Sequence, residues 1–286
     1  MNDSRKNLYK FTSFCGLLIG SFLHNANGEI NAQGVCETNP DSLSSSCYVT
    51  PETYKARIYE MGLCTSDPLA GTYIEGGDVV TNNTIDESTC TSTFKSQSGS
   101  LVDISPGAVQ TLTGENITPP PGTYPHAYIK LSNTLGLKGK QKVNDVTYYS
   151  SSDGTGTTNS ANYVEWDEKI IDFEKGPECE PLAENRVMAV SETFNTGITG
   201  TMKAVLSHLS NGKHVGTMQA DCGNSTRIFG SFAPTNPIII SSETQGLQVT
   251  FTITDKGLSV IGGTTNGKAV VSRFSSGPFV PGFETF

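Results

Sequence analysis

The chain is expected to fold as an all-β protein, an antiparallel β-sandwich, and three observations carry that expectation. Apolar residues make up 35% and charged residues 16% of the 286, while Ser, Thr, Asn and Gly abound, a balance that suits a β-rich extracellular protein better than a helical bundle. In stretch after stretch the apolar residues fall on every second position, which puts them on one face of a strand. Gly, Pro, Asn and Ser break the chain between nearly all of these stretches, as in sandwiches of many short strands.

The first 28 residues stand apart. Arg5, Lys6 and Lys10 precede the apolar run FTSFCGLLIGSFL (Phe11 to Leu23), and the small, polar HNANG follows it. This is the pattern of a secretory signal peptide, with cleavage expected near Gly28 or Ala32. The run is shorter than the roughly 20 apolar residues a spanning helix needs. Neither Cys15 nor Cys36 follows a lipoprotein cleavage pattern. Residues 29–286 are therefore read as a mature chain without a membrane span, secreted, at the cell surface or in the periplasm.

The first strand is TYKARIYEMGLC, with Tyr54, Ala56 and Ile58 on one face and Lys55, Arg57 and Tyr59 on the other. Strands are expected next at Cys90 to Phe94 and Ser100 to Ile104. In PPPGTYPHAYIKLSN, Pro119 to Pro121 hold an extended segment, Gly122 permits a bend, and Tyr124, His126 and Tyr128 then alternate with Pro125, Ala127, Ile129 and Leu131. Pro125 places the start of this strand at an edge or a bulge. The run reads either as a stiff crossover feeding a strand or as an exposed aromatic row that stacks on a sugar or a neighbouring subunit. A strand at Val146 to Tyr149 leads into SSSDGTGTTNSA (150–161), a long loop or, alternatively, a linker between two β domains. Asn162 to Phe173 fits a short helix or a strand. Further strands are expected at Val187 to Ser191, Met202 to Leu206, Arg227 to Phe232, Ile238 to Ser241 and Ala269 to Phe274. GLQVTFTITDKGLSVIGG reads as a hairpin: Leu247, Val249, Phe251 and Ile253 share a face, Asp255 to Gly257 turn with Gly257 at positive φ, and Leu258 and Val260 return.

Residues 29–286 carry 16 Lys plus Arg against 27 Asp plus Glu, a net charge of −11. Such a chain is repelled by nucleic acid and by anionic lipid, and no basic stripe offsets this. Once Cys15 leaves with the signal, six cysteines remain, an even count that in an exported chain points to disulfides. Nearest neighbours pair Cys36 with Cys47, Cys64 with Cys90, and Cys179 with Cys222. No cysteine spacing matches a zinc site. His208 and His214, six apart, would share a face of one strand, yet they read as an exposed pair rather than a metal site. No metal or cofactor is expected.

Enzyme signatures are missing: there is no G-x-S-x-G elbow, H-E-x-x-H helix or phosphate loop. Glu165, Asp167, Glu168, Asp172 and Glu174 surround Trp166, where a glycosidase carboxylate pair is conceivable. A solvated acidic face or a loose calcium contact is the plainer reading. Sequons at Asn82, Asn116 and Asn224 mark surface positions in a host that glycosylates.

The succession YKARIYEMGLC, GSLVDIS, PPGTYPHAYIKLSN and GLQVTFTIT resembles an uncharacterised family of bacterial exported sandwich domains. These have a short "vDL" strand and an "lPaGtYtqirl" strand. The resemblance covers Tyr54 to Leu131 and the last hairpin. It implies a transthyretin-like or immunoglobulin-like architecture, no catalytic residues, and a long loop-rich insertion over roughly 140–232. Many members look like lipoproteins, whereas this chain lacks the lipidation pattern.

Two functions fit. The first is an exported structural or adhesive protein, a surface or filament subunit that associates with itself or with neighbouring surface proteins through sheet edges and the apolar tail residues Phe279, Phe283 and Phe286. The alternative is a monomeric module that binds glycans on Tyr124, His126, Tyr128 or Trp166.

Overall fold

The computed structural model describes residues 34–43, 46–71, 84–106, 110–173, 189–194, 199–217 and 219–286. The expected signal peptide, Cys179, Glu174 and the Asn82 sequon lie outside these residues, as do the first two residues of the strand expected at Val187. The described chain contains β1 (Cys47–Val49), β2 (Thr53–Cys64), β3 (Cys90–Asp103), β4 (Glu115–Asn116), β5 (Gly122–Tyr124), β6 (His126–Ser132), β7 (Thr134–Lys138), β8 (Lys140–Val143), β9 (Val146–Ser150) and β10 (Gly156–Thr157). There follow β11 (Trp166–Lys169), β12 (Ala189–Phe194), β13 (Gly200–Ser210), β14 (Lys213–Gly216), β15 (Arg227–Pro234), β16 (Ile238–Ile240), β17 (Leu247–Thr252), β18 (Leu258–Thr265), β19 (Lys268–Ser276) and β20 (Val280–Thr285). The fold is all-β and antiparallel, as expected. The two strands read at Cys90 and Ser100 are one strand, β3, and the ambiguous 162–173 stretch supplies β11.

One sheet dominates, in the order β11, β7, β2, β6, β15, β13, β12, with β3 added beside β2, β4 beside β3 and β14 beside β13. Strand β2 pairs with β3 along one edge and with β6 and β7 along the other. Against β6, Ile58 and Glu60 face the consecutive residues Leu131 and Lys130, so Tyr59 is the extra residue of a bulge; against β3 the excess lies on the other strand, where Ile58 faces Ser100 and Glu60 faces Lys95. The slip changes the phase of the alternation. Tyr54, Ala56 and Ile58 before it, and Met61 and Leu63 after it, all face the core, whereas an unbroken strand would put Glu60 there. The stretch 140–232 contributes β15 and β13 to this sheet and Val190, Met202, Ala204, Leu206, Ile228 and Phe232 to the core. Within 150–161, β10 pairs with β9 and Thr155 bridges to Arg273.

Strands β6 and β7 run as one line along β2 but have different outer neighbours: β6 pairs with β15, and β7 with β11. The change happens at Asn133, which is 3% exposed. Its Nδ2 donates to the Ile170 and Ser225 carbonyls, each at 2.9 Å, its N–H donates to the Thr226 carbonyl, and its own carbonyl accepts from the Ile170 N–H. Two strands part here and leave backbone groups without ladder partners; this one amide satisfies them.

The inner face of the sheet is covered mainly by the C-terminal strands, and here the sequence expectation needs correction. Leu247, Val249, Phe251 and Ile253 share a buried face, as read, but Asp255 to Gly257 does not close a hairpin. Strand β17 pairs with β20, and β18 with β19. The turn lies at Asn266 and Gly267, with φ of 53° and 73°, the two-residue left-handed geometry that matches strand twist. β17 with β18 forms one arm of a long hairpin and β19 with β20 the other. At the DKG stretch Asp255, not Gly257, takes positive φ (55°), and the N–H groups of Lys256 and Gly257 donate to the Ile253 carbonyl. A coiled turn of this kind makes a corner where a strand leaves one sheet for another. The same left-handed turn closes β8–β9 at Asn144 and Asp145 and β13–β14 at Asn211 and Gly212. Phe279 meets Tyr54 and Phe251 edge-on, and Phe283 packs on Phe232, so the tail closes the core.

Cys36 pairs with Cys47, and Cys64 with Cys90; these two disulfides suit an oxidising compartment. Cys222 is also disulfide-bonded. No helix among the described residues is long and apolar enough to cross a membrane.

Replacing Asn133 by Ala leaves two buried carbonyls unpaired, and the expected loss is about 2–3 kcal/mol in urea unfolding. Asn133→Asp, which keeps the shape but presents oxygen where Nδ2 donates, loses at least as much.

Candidate functional site

The bulge at Tyr59 turns Glu60 onto the outer face of the main sheet, where three cross-strand rows form. In the first, Lys95 of β3, Glu60 of β2 and Lys130 of β6 lie side by side, followed by Phe229, Val205 and Ala189. Alternating charge across three strands is the favourable arrangement for neighbours 5 Å apart. Glu60 Oε2 is 2.8 Å from Lys130 Nζ, and Oε1 is 3.6 Å from Lys95 Nζ. Lys130, 5% exposed, is held also by Glu87 at 2.5 Å. A lysine buried to this degree needs such partners.

The second row contains Gly62, opposite Tyr128. A Cβ on Gly62 would meet the Tyr128 ring, so only glycine lets that ring lie across β2. The Tyr128 hydroxyl thereby donates to Glu60 Oε1 at 2.9 Å and reaches Ser92 Oγ at 3.1 Å; Ser92 Oγ also donates to Glu60. The ring stacks on Phe229 with centroids 5.5 Å apart. The third row holds the Cys64–Cys90 disulfide and His126. Beside it Asp67 accepts from Lys203 Nζ at 2.7 Å, Ser231 Oγ at 3.0 Å and the Leu69 N–H at 2.9 Å.

Where β3 bulges past this network the face opens into a groove of about 690 Å³, lined among others by Tyr59, Glu60, Lys95, Glu115, His214 and Arg227, with Ser96, Gln97, Ser98 and Thr113 on its walls. The Arg227 guanidinium sits 3.6 Å over the Tyr59 ring centroid. Burial pulls His214 down to about 4, aided by the positive charges of Lys130 and Arg227. Burial opposes ionisation of Glu60 and Asp67, but hydrogen bonds and charge from Lys130 and from Lys203 outweigh it and hold both carboxyls below their ordinary values. Burial and the charge of Glu60 push the Tyr128 phenol above its usual range. The groove is polar, held in a fixed geometry, and offers donors and acceptors in alternation. A second concavity, a cavity of about 180 Å³ between the layers, is mainly apolar and has Glu168 in its wall.

The residues singled out in the sequence take different places. Tyr124 belongs to β5, is buried, and donates to the Pro120 carbonyl. Tyr128 is 3% exposed. The exposed aromatic row does not form, because Pro125 separates β5 from β6 and the network above captures Tyr128. His126 is half-buried in the third row, and its Nδ1 has no partner among the described residues. Trp166 is buried in the core. Phe279 and Phe283 pack inward, and Phe286 is 56% exposed. His208 and His214 do not share a strand. The Asn211–Gly212 turn puts them on β13 and β14, with His208 opposite Val215 and His214 opposite Leu209, hence on opposite faces. The acidic cluster is divided in the same way: Glu168 is buried and accepts from Ser275 Oγ and the Ser276 N–H, Asp167 is exposed, and Glu165 pairs with Lys55 at 2.7 Å. No group of three His, Cys, Asp or Glu poised for a metal occurs among the described residues.

Sequence reasoning does not pick out Glu60, Lys95, Lys130, Arg227 or Tyr59 as site residues, and it names His214 only as half of an exposed pair with His208. A signal was present: in YKARIYEMGLC a carboxylate stands where the alternation calls for an apolar residue, and the apolar residues then resume out of phase at Met61 and Leu63. No protein-family model, no curated protein and no solved structure matches the chain.

The pKa directions predict acid sensitivity in two steps. The unfolded chain protonates a histidine near 6.5, whereas folded His214 resists until about 4, so stability drops as pH falls between those values. His126, also lowered by burial, adds to this step. Glu60 and Asp67 contribute stability that is lost only as pH falls from their ordinary values, 4.5 and 3.8, through their lower folded ones. Urea midpoints at pH 7, 5 and 3.5 should fall throughout; His214→Asn should flatten the first interval and Glu60→Gln only the second.

Proposed function

We propose that this is an exported binding protein of adhesive type, which recognises carbohydrate in the groove on the outer face of its main sheet. The groove itself carries the reading. A sugar hydroxyl both donates and accepts, so its natural counterpart is a rigid concave surface where ammonium and guanidinium donors alternate with carboxylate and hydroxyl acceptors. Lys95, Glu60, Arg227, Ser96, Gln97 and Glu115 compose such a surface. Export is supported by the signal-like first 28 residues and by the disulfides. A self-associating filament subunit draws less support, because Phe279 and Phe283 of the apolar tail are engaged with Tyr54, Phe251 and Phe232 of the same chain.

The test is a glycan array probed with the oxidised protein and with Ser98→Trp. Ser98 is exposed on the groove wall, so an indole there obstructs the groove without touching the core. The wild type is expected to bind a defined glycan class. The variant should lose at least tenfold in affinity with an unchanged urea midpoint. Binding unaffected by Ser98→Trp would move the site elsewhere.

A further inference from the structure

Building on the glycan reading of the groove, we infer that its ligand is an acidic saccharide, a glycan bearing a uronate carboxylate, and that Arg227 is the residue that reads this group. Lys130 lies between Glu60 and Glu87. Lys95 stands opposite Glu60 on one side and Glu115 on the other. Both ammonium groups thus have carboxylates of the protein beside them. Arg227 does not: among the described residues no carboxylate comes within 4.0 Å of it. Among the described residues its side chain makes one hydrogen bond, from Nη1 to the Thr226 carbonyl at 2.8 Å. A guanidinium has five N–H donors in a fixed fork, so most of that capacity is uncommitted.

The group is also held in place. Its 3.6 Å contact with the Tyr59 ring restricts a side chain that otherwise loses substantial rotamer entropy on binding, and Tyr59 is itself the residue that the β2 bulge pushes out. A planar fork, fixed on an aromatic ring and lacking an internal counter-ion, matches a carboxylate, which accepts two parallel N–H bonds. The neutral hydroxyls and amide of Ser96, Gln97, Ser98 and Thr113 suit the rest of a sugar. The net charge of −11 over 29–286 repels polyanions at long range, so an acidic ligand is held here by short, directed bonds. Nearby His214 stays neutral at pH 7, so among the described residues Arg227 is the groove cation with no carboxylate in contact.

Calorimetric titration of the full oxidised chain with trigalacturonate, its methyl ester and galactotriose, alongside the array above, tests the inference. The acid should bind at least tenfold more tightly than the ester. Arg227→Gln should bring the acid down to the affinity of the ester, and Arg227→Lys, which keeps the charge without the fork, should fall between. Urea midpoints of both variants check that folding is intact. Equal affinity for acid, ester and neutral trisaccharide, or array hits confined to neutral glycans, would overturn the inference and leave the glycan reading standing. Preference for sulfated over carboxylated sugars would overturn the choice of carboxylate, and binding of no glycan at all would overturn both readings.

Discussion

Everything on the outer face depends on the extra residue in β2. A strand buried on one face must keep its apolar residues in phase, and a carboxylate in the core would cost several kcal/mol even after relaxation. Glu60 falls at the core-facing position of the alternation begun by Tyr54, Ala56 and Ile58. The slip at Tyr59 moves it across the sheet and returns Met61 and Leu63 to the core. One inserted residue thus protects the core, delivers an acceptor to Lys130, Lys95, Tyr128 and Ser92, and pushes out the ring on which Arg227 rests.

The second constraint is the parting of β6 from β7. A single line of chain serves two neighbours, β15 and β11, and at the junction neither ladder can satisfy the backbone. Asn133 can, because a side-chain amide is the one group with the donor and acceptor pattern of a peptide on a short, stiff stem. The opposite layer solves a similar problem without a buried amide. The long C-terminal hairpin bends both arms at the same level, at 253–257 and 277–279, and keeps its ladder above and below the corner. The bend brings Phe279 and Phe283 back over Tyr54 and Phe232, so what reads as a loose apolar tail is part of the wall that closes the core.

Much of the fold was legible because it rests on period and on turn chemistry, both local. The alternations of Tyr54 to Ile58 in β2 and of Leu247 to Ile253 at β17 match the buried faces, and Cys36–Cys47 and Cys64–Cys90 pair as nearest neighbours, whereas the run from Tyr124 to Leu131 is divided at Pro125 between β5 and β6. The hairpin was misplaced although the right signal was present: Asn266-Gly267 is the stronger two-residue turn, and the DKG stretch beside a clean alternation drew the reading away from it. The candidate site was far less legible. Tyr128 was picked out for its ring, but its hydroxyl is the part engaged with the site, and its face is spent on Phe229. Lys130, Arg227 and Lys95 look like ordinary solvated cations in the sequence, because nothing local says that β3, β6 and β15 flank β2.

By itself the sequence determined the all-β class, the faces of the strands, the acidic balance and the two disulfides formed between nearest cysteines, since each follows from residues near one another in the chain. Only the tertiary structure decided which strands are neighbours, and with that which charges meet. Cross-strand rows such as Lys95–Glu60–Lys130 join residues 35 and 70 positions apart, and no rule of period or propensity reaches that far. It decided too that no carboxylate among the described residues reaches Arg227, because a missing counter-ion is a property of everything around a charge.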